Sequence, residues 1–205
     1  MTTARAAAGH NRGVPTRPAV AERLDLGDGF ALTRARPGDE RWIAAAVEES
    51  FDHLHPWLEW ATPERMSEAA QEARLPQLEH HWERGEEYSY LVRTGRDPRV
   101  LGAASLVRRA PATAGMPVWE IGYWTHVAWC RQGLATRSAR ALTELALSFP
   151  ATDGVMIRCD EANAASASVP RALGYSLECI VDAPKLAPSA SGRDMVWTLR
   201  RDPVG

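Results

Sequence analysis

Residues 119–137 read WEIGYWTHVAWCRQGLATR, and this stretch decides the fold. It has the form of a strand, a short turn and the opening of a helix. Gly133 and Ala135 put two small residues where the helix begins. Small residues leave backbone N–H groups uncovered and let a ligand come close. A helix N-terminus with bare N–H groups is an anion site, and phosphate is a common occupant. The first expectation is therefore a phosphate-bearing ligand on this turn.

Working outward, residues 118–126 are apolar on both faces apart from Glu120, Thr125 and His126, which predicts a central strand buried on both sides. Residues 134–149 place Ala139, Leu142, Ala146 and Phe149 on one helical face, and Pro150 stops the helix. Residues 155–159 are the next strand, so the strand–helix–strand order implies a parallel crossover. Upstream, residues 29–36 read as a strand, and Pro37 to Asp39 break it to start a helix carrying Trp42, Ile43, Ala46 and Val47. Thr62 and Pro63 are a second helix start, Pro76 is expected to kink or restart that helix, and Gly85 ends it. Residues 88–93 and 100–107 are strands, and 111–117 are a loop rich in Ala, Pro and Gly. Downstream, 164–173 form a short helix, 175–181 and 195–200 two strands, and 182–192 a mobile loop. No repeat or boundary divides residues 23–205, so they are expected to be one domain behind a disordered tail of residues 1–22.

The 205 residues are 45% apolar and 24% charged, as in an ordinary globular protein. A net charge of -2 provides no global field for nucleic acid or a membrane. Cys130, Cys159 and Cys179 form no CxxC pair, which points to a reducing, cytoplasmic setting and away from disulfides or zinc. No apolar run could span a bilayer. The loop at 53–60, HLHPWLEW, gathers aromatics around Pro56. It is either a binding wall or a loop whose tryptophans cap the core. With no third ligand nearby, His53 and His55 predict no metal site.

These residues resemble the GNAT N-acetyltransferases, and within them the branch that acetylates N-terminal amines of ribosomal proteins. The family signature, Arg or Gln, two residues, Gly, one residue, Gly or Ala, falls on Cys130-Arg-Gln-Gly133-Leu-Ala135. Glu120-Ile-Gly-Tyr-Trp124 resembles the branch's fourth strand, Asn163-Ala-Ala-Ser166 its second cofactor segment, and His55-Pro-Trp-Leu-Glu-Trp60 its substrate-side loop. The resemblance implies an α/β GNAT fold: a mixed, mostly antiparallel sheet of about seven strands, splayed between the fourth and fifth, with helices on both faces. It implies acetyl-CoA as co-substrate and no metal.

The expected site follows. The pyrophosphate would sit on N–H groups of Arg131, Gln132, Gly133, Leu134 and Ala135, with a hydroxyl from Thr136. The pantetheine arm would pair like an added strand with Thr125, His126 and Val127, and the N–H near Val127 would polarise the thioester carbonyl. Asn163 and Ser166 would face the same crevice. Glu120 is the expected base; its alternative is a structural carboxylate paired with an arginine. Ser166 is the expected proton donor to the thiolate, because the position of the family's tyrosine holds Pro170; its alternative is a capping serine. His126 is the third acid–base candidate, with a backbone or cofactor contact as the commoner role. His55, Trp57, Trp60 and Tyr123 would line the acceptor side. Cys130 departs from the signature's first position, and Asp182-Ala-Pro-Lys185 lies where the branch carries a glutamate. The expected partners are acetyl-CoA and an amine, either a protein N-terminus or a small molecule, with a homodimer left open and neither nucleic acid nor membrane. The alternative is a non-catalytic acyl-CoA-binding module of the same fold.

Overall fold

A computed structural model describes residues 20–109, 118–150 and 152–201. The expected loop at 111–117 and most of the expected tail lie outside the described residues. One eight-stranded sheet runs in the order β1-β2-β3-β4-β5-β6-β8-β7. Its strands are β1 (Arg23–Gly27), β2 (Phe30–Arg34), β3 (Glu87–Thr94), β4 (Gly102–Arg109), β5 (Val118–Thr125), β6 (Gly154–Asp160), β7 (Ser176–Asp182) and β8 (Arg193–Arg200). The helices are α1 (Glu40–Glu49), α2 (Phe51–Leu54), α3 (Pro63–Met66), α4 (Glu68–Arg84), α5 (Leu134–Ser148) and α6 (Ala164–Ala172).

The sheet exceeds the expected seven strands by β1. That strand is short, and its burial comes almost wholly from Leu26, so its pattern is too brief to stand out. It pairs antiparallel with β2 across a tight turn at Asp28 and Gly29, both at positive φ. Two side chains also tie the residues before β1 to the sheet: Tyr90 donates to the Ala21 carbonyl, and Glu22 bonds Arg34.

The expected parallel crossover is present as β5–α5–β6. Two sequence expectations fail locally. The helix begun at Thr62 breaks at Ser67 and runs unbroken through Pro76. Ser67 Oγ accepts from Ala70 N–H and starts α4 afresh. Pro76 is exposed, so water can take the Glu72 carbonyl that it leaves without a donor. Second, β5 is fully buried only at Trp119 and Ile121. The even-numbered face from Glu120 opens onto a cleft.

Two apolar clusters hold the sheet. Tyr90 and Val92 belong to one with α5; Leu91, between them, belongs to the other with α1 and α4. Adjacent strand residues point to opposite faces, so helices cover both.

Candidate active site

The turn before α5 leaves a run of backbone N–H groups open. Arg131 and Gly133 adopt positive φ, of 61° and 78°, and no side chain caps the helix. Among the described residues, the N–H groups from Arg131 to Thr136 have no acceptor; the first used is Arg137 N–H, donated to the Gly133 carbonyl. The Gln132 amide folds back to donate to the Ala128 carbonyl, while Arg131 extends into solvent. The Leu134 side chain is core, so this residue can offer a ligand only its N–H.

The second element is a strand edge. β5 pairs with β6 only from Trp119 to Ile121, after which the two strands part. His126 N–H donates to the Leu101 carbonyl, on the β4 side. Hydrogen bonding alternates along an antiparallel pair, so the backbone groups of Tyr123 and Thr125 face the other way, into the splay. This narrows the expected pantetheine edge. Thr125 is on it; His126 and Val127 are not, because Val127 N–H donates to Ser50 Oγ at 3.1 Å. The His126 ring is buried, its Nδ1 accepting from Ala128 N–H and its Nε2 donating to Glu49 at 3.0 Å. It clamps the end of β5 to α1 and does not reach the cleft.

That cleft, about 750 Å³, opens beside the splay. Glu120 lines it, with Oε2 held by Arg109 Nε at 2.7 Å. The arginine partner weighed as the alternative is therefore present, while Oε1 has no partner among the described residues. Trp57 and Trp60 form a wall with Trp124, whose ring lies 6.2 Å from that of Trp60. His55 is not on that wall: its Nδ1 donates to the Ala61 carbonyl at 2.8 Å and its ring stacks on Phe51. It closes the loop that presents the tryptophans. Ser189 N–H, in the segment between β7 and β8, donates to the Pro56 carbonyl, and Asp160 accepts from Ser191 N–H and Oγ. The segment expected to be mobile, residues 182–192, is thus tied at two points to the cleft rim.

Asn163 caps α6, its Oδ1 accepting from Ser166 N–H. Ser166 is therefore not the cap, and its hydroxyl is directed elsewhere. Tyr123, expected on the acceptor side, lines the cleft with Trp57 and Trp60 and also brings its phenol to Ser166, 3.0 Å from the carbonyl and 3.2 Å from Oγ. Burial raises the Tyr123 pKa, so this phenol stays protonated.

Sequence reasoning missed Arg109, Ser50 and the Tyr123–Ser166 contact. Their partners lie 11, 77 and 43 residues away, and no local pattern announces them.

The acetyltransferase (GNAT) domain family matches residues 30–176. Solved structures share the fold. A ribosomal-protein-S5-alanine acetyltransferase from Vibrio fischeri aligns with a TM-score of 0.78 at 16% identity, over 89% of this chain and 98% of its own. RimL, a ribosomal L7/L12 alpha-N-protein acetyltransferase solved with coenzyme A, gives 0.77 at 19% identity, over 88% and 99%. RimJ of Mycobacterium smegmatis, solved with CoA-disulfide, gives 0.73 at 15% identity, over 85% and 83%. No curated protein matches the sequence. Among the described residues, no helix is long and apolar enough to cross a membrane.

Proposed function

We propose that this chain, which belongs to the GNAT acetyltransferase family, moves the acetyl group of acetyl-CoA to a primary amine by direct attack in a ternary complex. One observation carries the reading. The free N–H groups from Arg131 to Thr136 lie beside the parting of β5 from β6, so a phosphate seat and an unpaired strand edge are adjacent. A pyrophosphate joined to an amide-bearing arm suits both.

The residues then divide the work. The turn binds the pyrophosphate, with Thr136 and Arg131 close by. The Thr125 edge pairs with the arm, and its N–H faces the splay, where it can polarise the thioester carbonyl. Glu120 Oε1 takes a proton from the incoming ammonium, directly or through water. The neutral amine attacks the carbonyl carbon, the N–C bond forms and the C–S bond breaks. Ser166 Oγ gives its proton to the departing sulfur and regains one from the nitrogen, so the serine is unchanged. No covalent enzyme intermediate is required, because a positioned neutral amine attacks a thioester readily. Burial pushes the Cys130 and Cys159 thiols up, which suits neither for a nucleophile's role.

The acceptor we favour is the α-amine of a protein N-terminus. Similar folds are named for that reaction on ribosomal proteins. The cleft's aromatic wall and its size fit a few residues of extended peptide. The site lies in the cytoplasm on this reading, where acetyl-CoA and nascent N-termini meet.

Release of free thiol from acetyl-CoA, measured over a panel of short peptides with free N-termini and of small amines, tests both parts. Thiol release with a peptide and its acetylation at the α-amine are expected. Tight acetyl-CoA binding with no release for any amine would overturn the enzyme in favour of a binding module. Release with small amines alone would move the acceptor to that class.

A further inference from the structure

α6 carries a defect at its catalytic end. In an α-helix the Ser166 carbonyl would accept from the N–H of residue 170. Residue 170 is proline, buried inside the helix, and has no N–H to give; its ring also crowds that carbonyl. A carbonyl without a donor here would leave the turn that carries the Ser166 hydroxyl poorly fixed. The Tyr123 phenol stands 3.0 Å from this oxygen and donates to it. The phenol has one proton, and the carbonyl takes it. Its oxygen, 3.2 Å from Ser166 Oγ, is then left to accept from the serine hydroxyl.

We propose that Tyr123 is a positioning residue for Ser166, acting by filling the helix hydrogen bond that Pro170 deletes. Tyr123 sits on β5 and Ser166 on α6, the helix that follows β6, so the phenol also ties that helix to β5 across the splay. The same contact fixes the serine carbonyl and offers its hydroxyl an acceptor, beside the Cys159 sulfur, when no thiolate is present. Tyr123 touches no reacting atom in this arrangement, and its phenol keeps its proton, donated to the carbonyl, throughout. The assignment rests on Ser166 as proton donor, as set out above.

A double-variant cycle tests it. Tyr123→Phe removes the donor while keeping the ring; kcat should fall about tenfold, the scale of a small misplacement, with KM for acetyl-CoA within about twofold. Pro170→Ala restores an N–H to residue 170. In the Tyr123→Phe background it should recover most of the lost kcat, because the helix then satisfies its own carbonyl. Thermal melting should follow the same pattern, with Tyr123→Phe lowering Tm and the double variant regaining it, whether or not turnover is measurable. Unchanged kcat in Tyr123→Phe, or a loss that Pro170→Ala leaves in place, would overturn the proposal. So would a rise confined to KM for the amine, which would return Tyr123 to the acceptor wall. Ser166→Ala separates the two levels: full activity there removes serine as donor, while the Tm cycle still reports on the Tyr123–Pro170 pair.

Discussion

The two ends of residues 119–137 solve different problems. From Arg131 to Thr136 the backbone N–H groups have no acceptor among the described residues, and the Gln132 amide folds back while Arg131 points to solvent. From Glu120 to Val127 several side-chain and backbone groups are already taken. Arg109 holds Glu120, Leu101 takes His126 N–H, Glu49 takes the His126 ring and Ser50 takes Val127 N–H. A phosphate seat is made of backbone conformation, which nearby residues impose. An acid–base site is made of side chains whose freedom depends on remote partners. The first is therefore open wherever its local conformation forms. The second is open only where the fold leaves an atom without a partner, as, among the described residues, at Glu120 Oε1 and along the Thr125 edge.

The sharpest way to break this contrast is at the turn. Gly133→Asp adds bulk and negative charge where the phosphates would sit, and coenzyme A binding should fall by at least about a hundredfold by calorimetry. The nearest atom to an added Cβ is Arg137 Nε at 4.0 Å, so only the strain of φ 78° should touch stability. Retained micromolar affinity would remove the turn as the seat.

Glu120→Gln tests the other end. The amide keeps the shape and loses the base, so kcat should fall about a hundredfold at neutral pH while coenzyme A affinity holds. An unchanged rate across the pH range would leave Glu120 as no more than Arg109's structural partner.

Gly102→Ala probes the strand edge itself. A Cβ there would lie 2.5 Å from the Trp124 carbonyl, opposite Thr125, and backbone must move to admit it. A loss of about 2 kcal/mol in denaturant unfolding is expected, with weaker acetyl-CoA binding as the edge shifts. Unaltered binding would separate the edge from the cofactor.

Ser50→Ala should have the smallest effect. It leaves the Val127 N–H without its acceptor and should cost about 1 kcal/mol, a few degrees of Tm. If turnover rises instead, the freed N–H is serving the thioester, and the serine is masking it in the unliganded protein.

The parts of the fold legible in sequence are those with local periodicity or local punctuation. The α5 stripe, the Gly85 helix end, and the strand–helix–strand crossover all follow from spacing over a few residues. Gly85 shows why: its left-handed φ lets the two N–H groups at the helix end reach back to Trp82 and His81, a motif closed within six residues. The Pro76 expectation fails because proline's cost depends on whether solvent reaches the abandoned carbonyl, which is a tertiary fact. His55 fails for a similar reason, since a histidine beside tryptophans reads the same whether it faces a ligand or closes its own loop on Ala61. The insertion of β8 between β6 and β7 is likewise invisible to periodicity, which ranks no pairing partners.

By itself the sequence determined the glycine turn and the crossover that places it at the end of a central strand, and so where the proposed phosphate seat lies. Backbone dihedrals and helix starts depend on neighbours in the chain, and those are written in order. Only the tertiary structure decided which carboxylate oxygen is unpaired, which strand edge is bare, and that a tyrosine on β5 answers a proline on α6. Those outcomes depend on atoms brought within about 3 Å from 11 to 77 residues away, a distance over which no spacing rule operates.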